Sequence, residues 1–109
     1  MALANDLLRG YTDTIILRCL AEGESYGYRI NQRVSQESGG AFEMKEATLY
    51  TAFRRLEQAG LIISRWGDEE SGARRRYYAL TEEGEARLKS DLAAWRETRE
   101  ILDILLEEA

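Results

Sequence analysis

Three consecutive arginines followed by two tyrosines, Arg74, Arg75, Arg76, Tyr77 and Tyr78 in the stretch GARRRYYAL, are the densest cluster of binding chemistry in this 109-residue chain. A guanidinium carries a fixed fork of donors that matches phosphate or carboxylate oxygens. Three in a row therefore ask for a polyanionic partner. The chain as a whole carries a formal charge of -5, but that charge is unevenly placed. Residues 81 to 109 hold nine Asp/Glu against four Lys/Arg, which leaves eleven of each in residues 1 to 80. A polyanion responds to the local field more than to the total, so an acidic tail is compatible with a basic face elsewhere.

Other chemistries find little support. Histidine is absent, which removes the commonest general base and zinc ligand, and Cys19 is the sole cysteine. Neither a disulfide nor a structural zinc site can be assembled from it, and within the apolar run TIILRCLAEG it reads as a small core residue. The acids occur mostly in runs such as DEE and EE that read as solvated surface, without an apolar setting to raise a pKa. No catalytic residue, metal or cofactor is expected. No segment approaches the ~20 apolar residues of a membrane span. The first residues lack an export signal, so a soluble cytoplasmic protein is expected.

The elements that must position the arginines follow from periodicity and punctuation. Ile15, Ile16, Leu17, Cys19 and Leu20, closed by Gly23, predict a largely buried first helix. Ser25 then serves as the expected N-cap of a second, with Tyr26, Ile30 and Val34 on one face and Gly39-Gly40 as its stop. In KEATLYTAFRRLEQAG, Leu49, Ala52, Phe53 and Leu56 share one arc of the helical wheel. Ala47, Thr51, Arg54 and Gln58 share the opposite arc, flanked by Thr48, Tyr50 and Arg55. A plain solvated helix would show Glu/Lys pairs there; threonine, tyrosine, arginine and glutamine suggest a surface that reads something.

The segment LIISRWGDEESGARRRYYAL predicts a β-hairpin with a longer tip, in which Tyr77 and Tyr78 point to opposite faces. Thr81 caps a final helix, with Glu82 and Glu83 in its first turn. Gly84 stands where a full capping box would have Glu.

Helix, helix, helix, hairpin and long helix is the order of a mainly α fold with a small β-hairpin: a winged helix-turn-helix followed by a long C-terminal dimerisation helix. Residues 1–80 would form the DNA-binding part with an N-terminal helical extension, and residues 81–109 the dimerisation helix, within one compact domain. The arginines would then lie at the base of the second wing strand, beside the third helix, where they can reach phosphates. Lys45 and Arg55 join the candidate contacts, although Arg55 could instead pair with acids on its own helix. Tyr26, Tyr28 and Trp66 are each open between packing and exposure.

The motifs ESYGYRI, EATLYTAFRRLEQAGLI and RRRYYALTEEG, in this order and spacing, resemble the PadR family of bacterial winged-helix transcriptional regulators over roughly residues 10 to 85. The resemblance implies that Thr48, Tyr50 and Arg54 face double-stranded DNA, with Arg74, Arg75 and Arg76 on the wing. Many relatives have proline after Thr-Leu-Tyr; this chain has Thr51, whose hydroxyl adds a possible contact. It also implies a homodimer and a repressor, released by a ligand or another signal.

The last helix carries Leu88, Leu92, Trp95, Leu102 and Leu106 at three- and four-residue steps, broadened by Ile101, Ile104 and Leu105. So wide an apolar stripe on so short a chain calls for a second copy, with Leu3, Leu7 and Leu8 of the amino-terminal segment contributing. Trp95 reads either as a packing anchor of that seam or as the wall of a pocket for a small planar aromatic effector. The expected function is a sequence-specific DNA-binding regulator acting on a palindromic operator. The alternative is a winged-helix protein-interaction module without specific DNA binding.

Overall fold

A computed structural model describes residues 7–68 and 74–107. Leu3 and the hairpin-tip acids Glu69 and Glu70 lie outside the described residues. A 3-10 turn, Arg9–Tyr11, leads into α1 (Thr12–Leu20). There follow β1 (Ser25–Tyr26), α2 (Gly27–Glu37), α3 (Glu46–Gln58), β2 (Ile62–Trp66), β3 (Arg76–Leu80) and α4 (Glu82–Leu106).

The core is built by the apolar arcs that periodicity marks. Ile16, Leu17, Ile30, Leu49, Phe53, Leu56 and Ile62 are all at most 2% exposed. Phe53 stacks on Tyr78 with ring centroids 3.9 Å apart, which bolts α3 to the wing. Tyr77, one residue earlier on β3, turns to the other side and meets Tyr26 edge-on. The alternation expected of the two tyrosines is therefore realised.

One expectation requires correction. Ser25 does not cap the second helix: Ser25 and Tyr26 form a two-residue strand that pairs antiparallel with Tyr78 and Tyr77. The hairpin thus becomes a three-stranded sheet of order β1-β3-β2. Tyr26 is the extended residue before α2 and makes no side-chain cap. The Ser25 hydroxyl instead accepts from Arg29 Nε at 3.0 Å.

Two local devices fix the placement of α3 and α4. The amide of Asn31 on α2 donates to the Met44 carbonyl at 2.6 Å and its oxygen accepts from Met44 N–H at 2.9 Å. This clasps the segment that enters α3. Thr81 Oγ1 accepts from Gly84 N–H at 3.0 Å, as expected of the cap. The missing capping-box glutamate also has a physical reason, because a Cβ at residue 84 would stand 2.1 Å from the Leu61 carbonyl oxygen. The first turn of α4 needs glycine to lie against that backbone.

Beyond Leu88 and Leu92, α4 leaves the core. At 1.5 Å per residue its 25 residues run about 38 Å, and the molecule measures 60 × 31 × 21 Å. Ile101, Leu102, Ile104, Leu105 and Leu106 are exposed on the single chain. Among the described residues, no helix is long and apolar enough to cross a membrane.

Candidate nucleic-acid interface

The outward face of α3 is the centre of the site. Ala47, Thr48, Tyr50, Thr51, Arg54 and Gln58 are exposed while Leu49, Ala52, Phe53 and Leu56 are buried, so the helical wheel divides as its residue types require. Lys45 is exposed just ahead of the helix. Among the described residues, Arg54 makes no ion pair and Lys45 makes none, which leaves both charges turned to solvent.

On one flank of α3 lies a groove of about 300 Å³ formed with the wing and the start of α2. Here each wing arginine is held against an aromatic ring. The Arg74 and Arg76 guanidiniums lie 5.6 and 4.9 Å from the Trp66 ring centre, and Arg75 lies 4.7 Å from that of Tyr26. Pairing of Trp66 with Arg76 across the β2–β3 ladder creates the first platform, and the β1 strand creates the second. Cation–π contact limits the wandering of a long side chain while leaving its N–H donors outward. Trp66, ambiguous in the sequence, is therefore a half-exposed support for two arginines. Arg76 is further steered by Glu57 at the end of α3, 3.9 Å away, and that carboxylate also accepts from the Ser64 hydroxyl at 2.5 Å.

Tyr50 closes the inner wall of this groove. Its hydroxyl would lie 3.1 Å from a Cβ at residue 27, so Gly27 allows the ring to approach the first turn of α2. The Tyr-Gly-Tyr and Thr-Leu-Tyr motifs are thus two halves of one contact.

On the other flank, Arg9, Thr12, Ala47, Thr48, Thr51 and Arg55 line a second groove of about 340 Å³. Arg55 does not pair with an acid of its own helix. Its Nε donates to Asp13 Oδ2 at 3.2 Å and its Nη2 to Oδ1, an ion pair reaching across to α1. The hydrogen bond to this carboxylate raises the guanidinium pKa further. Sequence reasoning also missed Arg65 on the outer wing, which grips Glu24 through two bonds of 2.8 and 2.6 Å and lies over Tyr77. That bond draws the Glu24 pKa below its ordinary value.

The residues assigned to the seam divide in two. Leu88 is buried in the chain's own core and Leu92 packs against it. Leu102, Leu105 and Leu106 face outward, while Trp95 is 37% exposed. Trp95 lines an open groove of about 440 Å³ between α1, α2 and α4, together with Ile15, Phe42, Leu92 and the charged Arg18, Arg33 and Glu37. Cys19 reaches the same groove, and burial raises its thiol pKa, so it is held as an unreactive thiol.

Three helices, a sheet that ends in an arginine-bearing wing and a polar face on the third helix define a winged helix-turn-helix. Residues 16–90 match the model of the transcriptional regulator PadR-like family. The chain belongs to this family of transcriptional regulators. It is 42% identical over 103 residues to an uncharacterized protein of Lysinibacillus sphaericus, covering 94% of each chain. A transcriptional regulator from Clostridium thermocellum superposes with a TM-score of 0.86 at 41% identity, over 94% of this chain and 96% of that one. The structure of Bacillus subtilis PadR in complex with operator DNA matches with a TM-score of 0.67 at 28% identity, over 73% of this chain and 45% of that one.

Proposed function

We propose that the protein binds double-stranded DNA sequence-specifically as a homodimer, represses transcription from a palindromic operator, and is released by a small planar aromatic effector. The observation that carries the DNA reading is the pairing of the polar face of α3 with three wing arginines steadied on Trp66 and Tyr26. A major groove about 12 Å wide admits one helix. With α3 inside it, Thr48, Tyr50, Thr51 and Arg54 meet base edges and the nearer phosphates. Arg74, Arg75 and Arg76 clamp the flanking backbone, with Lys45 at the entry of the helix. The arginines set register and salt dependence, and α3 sets sequence choice. The resemblance to a regulator solved with operator DNA supports the same docking.

Residues 1–80 supply the DNA-binding part and residues 81–109 the dimerisation helix. The outward leucines of α4 support the dimer, since burying them against a second copy removes exposed apolar surface and sets two α3 helices side by side for successive major grooves. The open groove at Trp95 has the size of a small-ligand site and adjoins this helix, which supports an effector that biases the spacing of the two readers.

The test is binding to the duplex immediately upstream of the protein's own gene against a scrambled duplex of equal length, each at two salt concentrations. Preference for the native duplex that fades as salt rises is the expected result. Equal, weak binding to both, repeated with duplexes selected from random sequence, would overturn the reading and favour a protein partner for the basic face.

A further inference from the structure

Arg55 stands on the same stripe of α3 as Thr48 and Thr51, yet its guanidinium is engaged in a two-point bond with Asp13. A carboxylate offers an arginine the same pair of oxygens that a phosphate does. The two partners are not equally held. Asp13 belongs to α1, whose Ile16 and Leu17 are fully buried, and the side chain of the next residue, Thr14, donates to Asp91 on α4 at 2.9 Å. Asp91 in turn accepts from Arg87 at 3.0 Å. The helix that carries Asp13 is thus tied to the core and to α4, and the short Asp13 side chain is 25% exposed, while the long one of Arg55 is 54% exposed. Arg55 is the partner able to swing.

We propose that Asp13 is a resident competitor for Arg55, occupying the guanidinium in place of a DNA backbone phosphate and thereby restraining affinity on the α1 side of α3. This rests on the DNA-binding reading above and extends it to the second groove. Arg55 must exchange one acid for another to reach the backbone, so this contact adds less affinity than a wing arginine does. Sequence-independent binding is weakened most, because it depends on phosphate contacts alone. The contact favours discrimination over raw affinity.

The experiment uses the full-length protein and a duplex of arbitrary sequence, titrated across a series of salt concentrations. Wild type is compared with Asp13→Asn, Arg55→Gln and the double variant. Asp13→Asn is expected to tighten binding roughly three- to tenfold at low salt and to steepen the log–log salt slope by about one, the contribution of one additional phosphate contact. The gain should vanish in the double variant, which should bind like Arg55→Gln.

Unchanged or weaker binding by Asp13→Asn overturns the proposal, since Asp13 would then merely position Arg55 or do nothing. A gain that survives in the double variant also overturns it, because removal of a negative charge alone would explain it. Should Asp13→Asn melt too low to be read, Asp13→Ser, which also suits the first turn of a helix, is judged by the same criteria. Absence of salt-sensitive duplex binding by the wild type is a different failure and removes the DNA reading itself. Binding by wild type that weakens in Arg75→Ala but is indifferent to residue 13 removes the competitor alone.

Discussion

Leu49, Ala52, Phe53 and Leu56 of α3 are each at most 2% exposed, whereas Ile104, Leu105 and Leu106 at the end of α4 are 77%, 71% and 74% exposed. Both helices carry an apolar stripe; the first finds its cover within the chain throughout, the second only at its start, where Leu88 and Leu92 pack. Their polar faces differ too. That of α3 offers hydroxyls and Arg54 beside three wing arginines, while α4 carries acids in its first turn and along its length. Hydrophobic burial is non-directional, so what separates a closed core from an interface is whether a partner surface lies within reach. The contrast teaches that α3 is closed by the chain's own core, whereas the outer half of α4 leaves its apolar stripe exposed on the single chain. The net negative charge falls on residues 81–109, with nine acids against four bases, whereas residues 1–80 balance eleven against eleven.

The strongest way to break the inner half of this contrast is Phe53→Ala. It removes the ring that stacks on Tyr78 and touches Tyr50, and should cost about 3–5 kcal/mol, enough to abolish most of the stability of a chain this size. A thermal melt checks it, and a loss of under 1 kcal/mol would show that α3 and the wing are not held by this stack. The outer half is challenged by Leu102→Glu combined with Leu105→Glu. Sedimentation should shift from dimer to monomer with the melt of the first eighty residues little changed, and duplex affinity should fall by about 10²–10⁴, the factor lost when two linked sites become one. An unchanged sedimentation coefficient would place the partner of α4 elsewhere.

A smaller effect is expected from Arg75→Ala. Binding should weaken by roughly threefold to all duplexes alike, and the salt slope should fall by about 0.9. Selective loss on one sequence would mean that Arg75 reads bases. The smallest effect concerns acid sensitivity. Hydrogen bonding to Arg65 keeps the folded pKa of Glu24 below its unfolded value. Its contribution is therefore present above the ordinary glutamate range and lost as pH falls through the depressed folded value. Glu24→Gln should lower the melting temperature slightly at neutral pH and leave less difference from wild type in strong acid. A difference that grows with acid would contradict the assigned pairing.

Features that depend on local periodicity were readable from the residues. The buried and exposed arcs of α3, the alternation of Tyr77 and Tyr78, and the Thr81 cap all arise within one turn or one strand. The fold class followed from the order of these elements. What escaped depends on residues remote in sequence. Ser25 has the composition of a helix cap, and only pairing with Tyr78 makes it a strand residue. Arg55 was a candidate DNA contact with acids of its own helix as the alternative partner, and the acid that holds it is Asp13 of α1, remote in sequence. The role of Trp66 required the ladder register that sets it opposite Arg76, which the length of the hairpin tip conceals. The Asn31 clasp on Met44 was hidden for the same reason, because it spans the turn between two helices.

The division of labour between α3 and the wing is tested most directly by one paired measurement. Arg54→Ala and Arg75→Ala are each titrated against a duplex selected from random sequence by the wild type and against its scrambled counterpart. Arg54→Ala should lose about 1–3 kcal/mol of discrimination between the two duplexes, while Arg75→Ala keeps the discrimination and weakens both equally. Equal loss on both duplexes by Arg54→Ala, with discrimination intact, would contradict the assignment of sequence reading to the exposed face of α3.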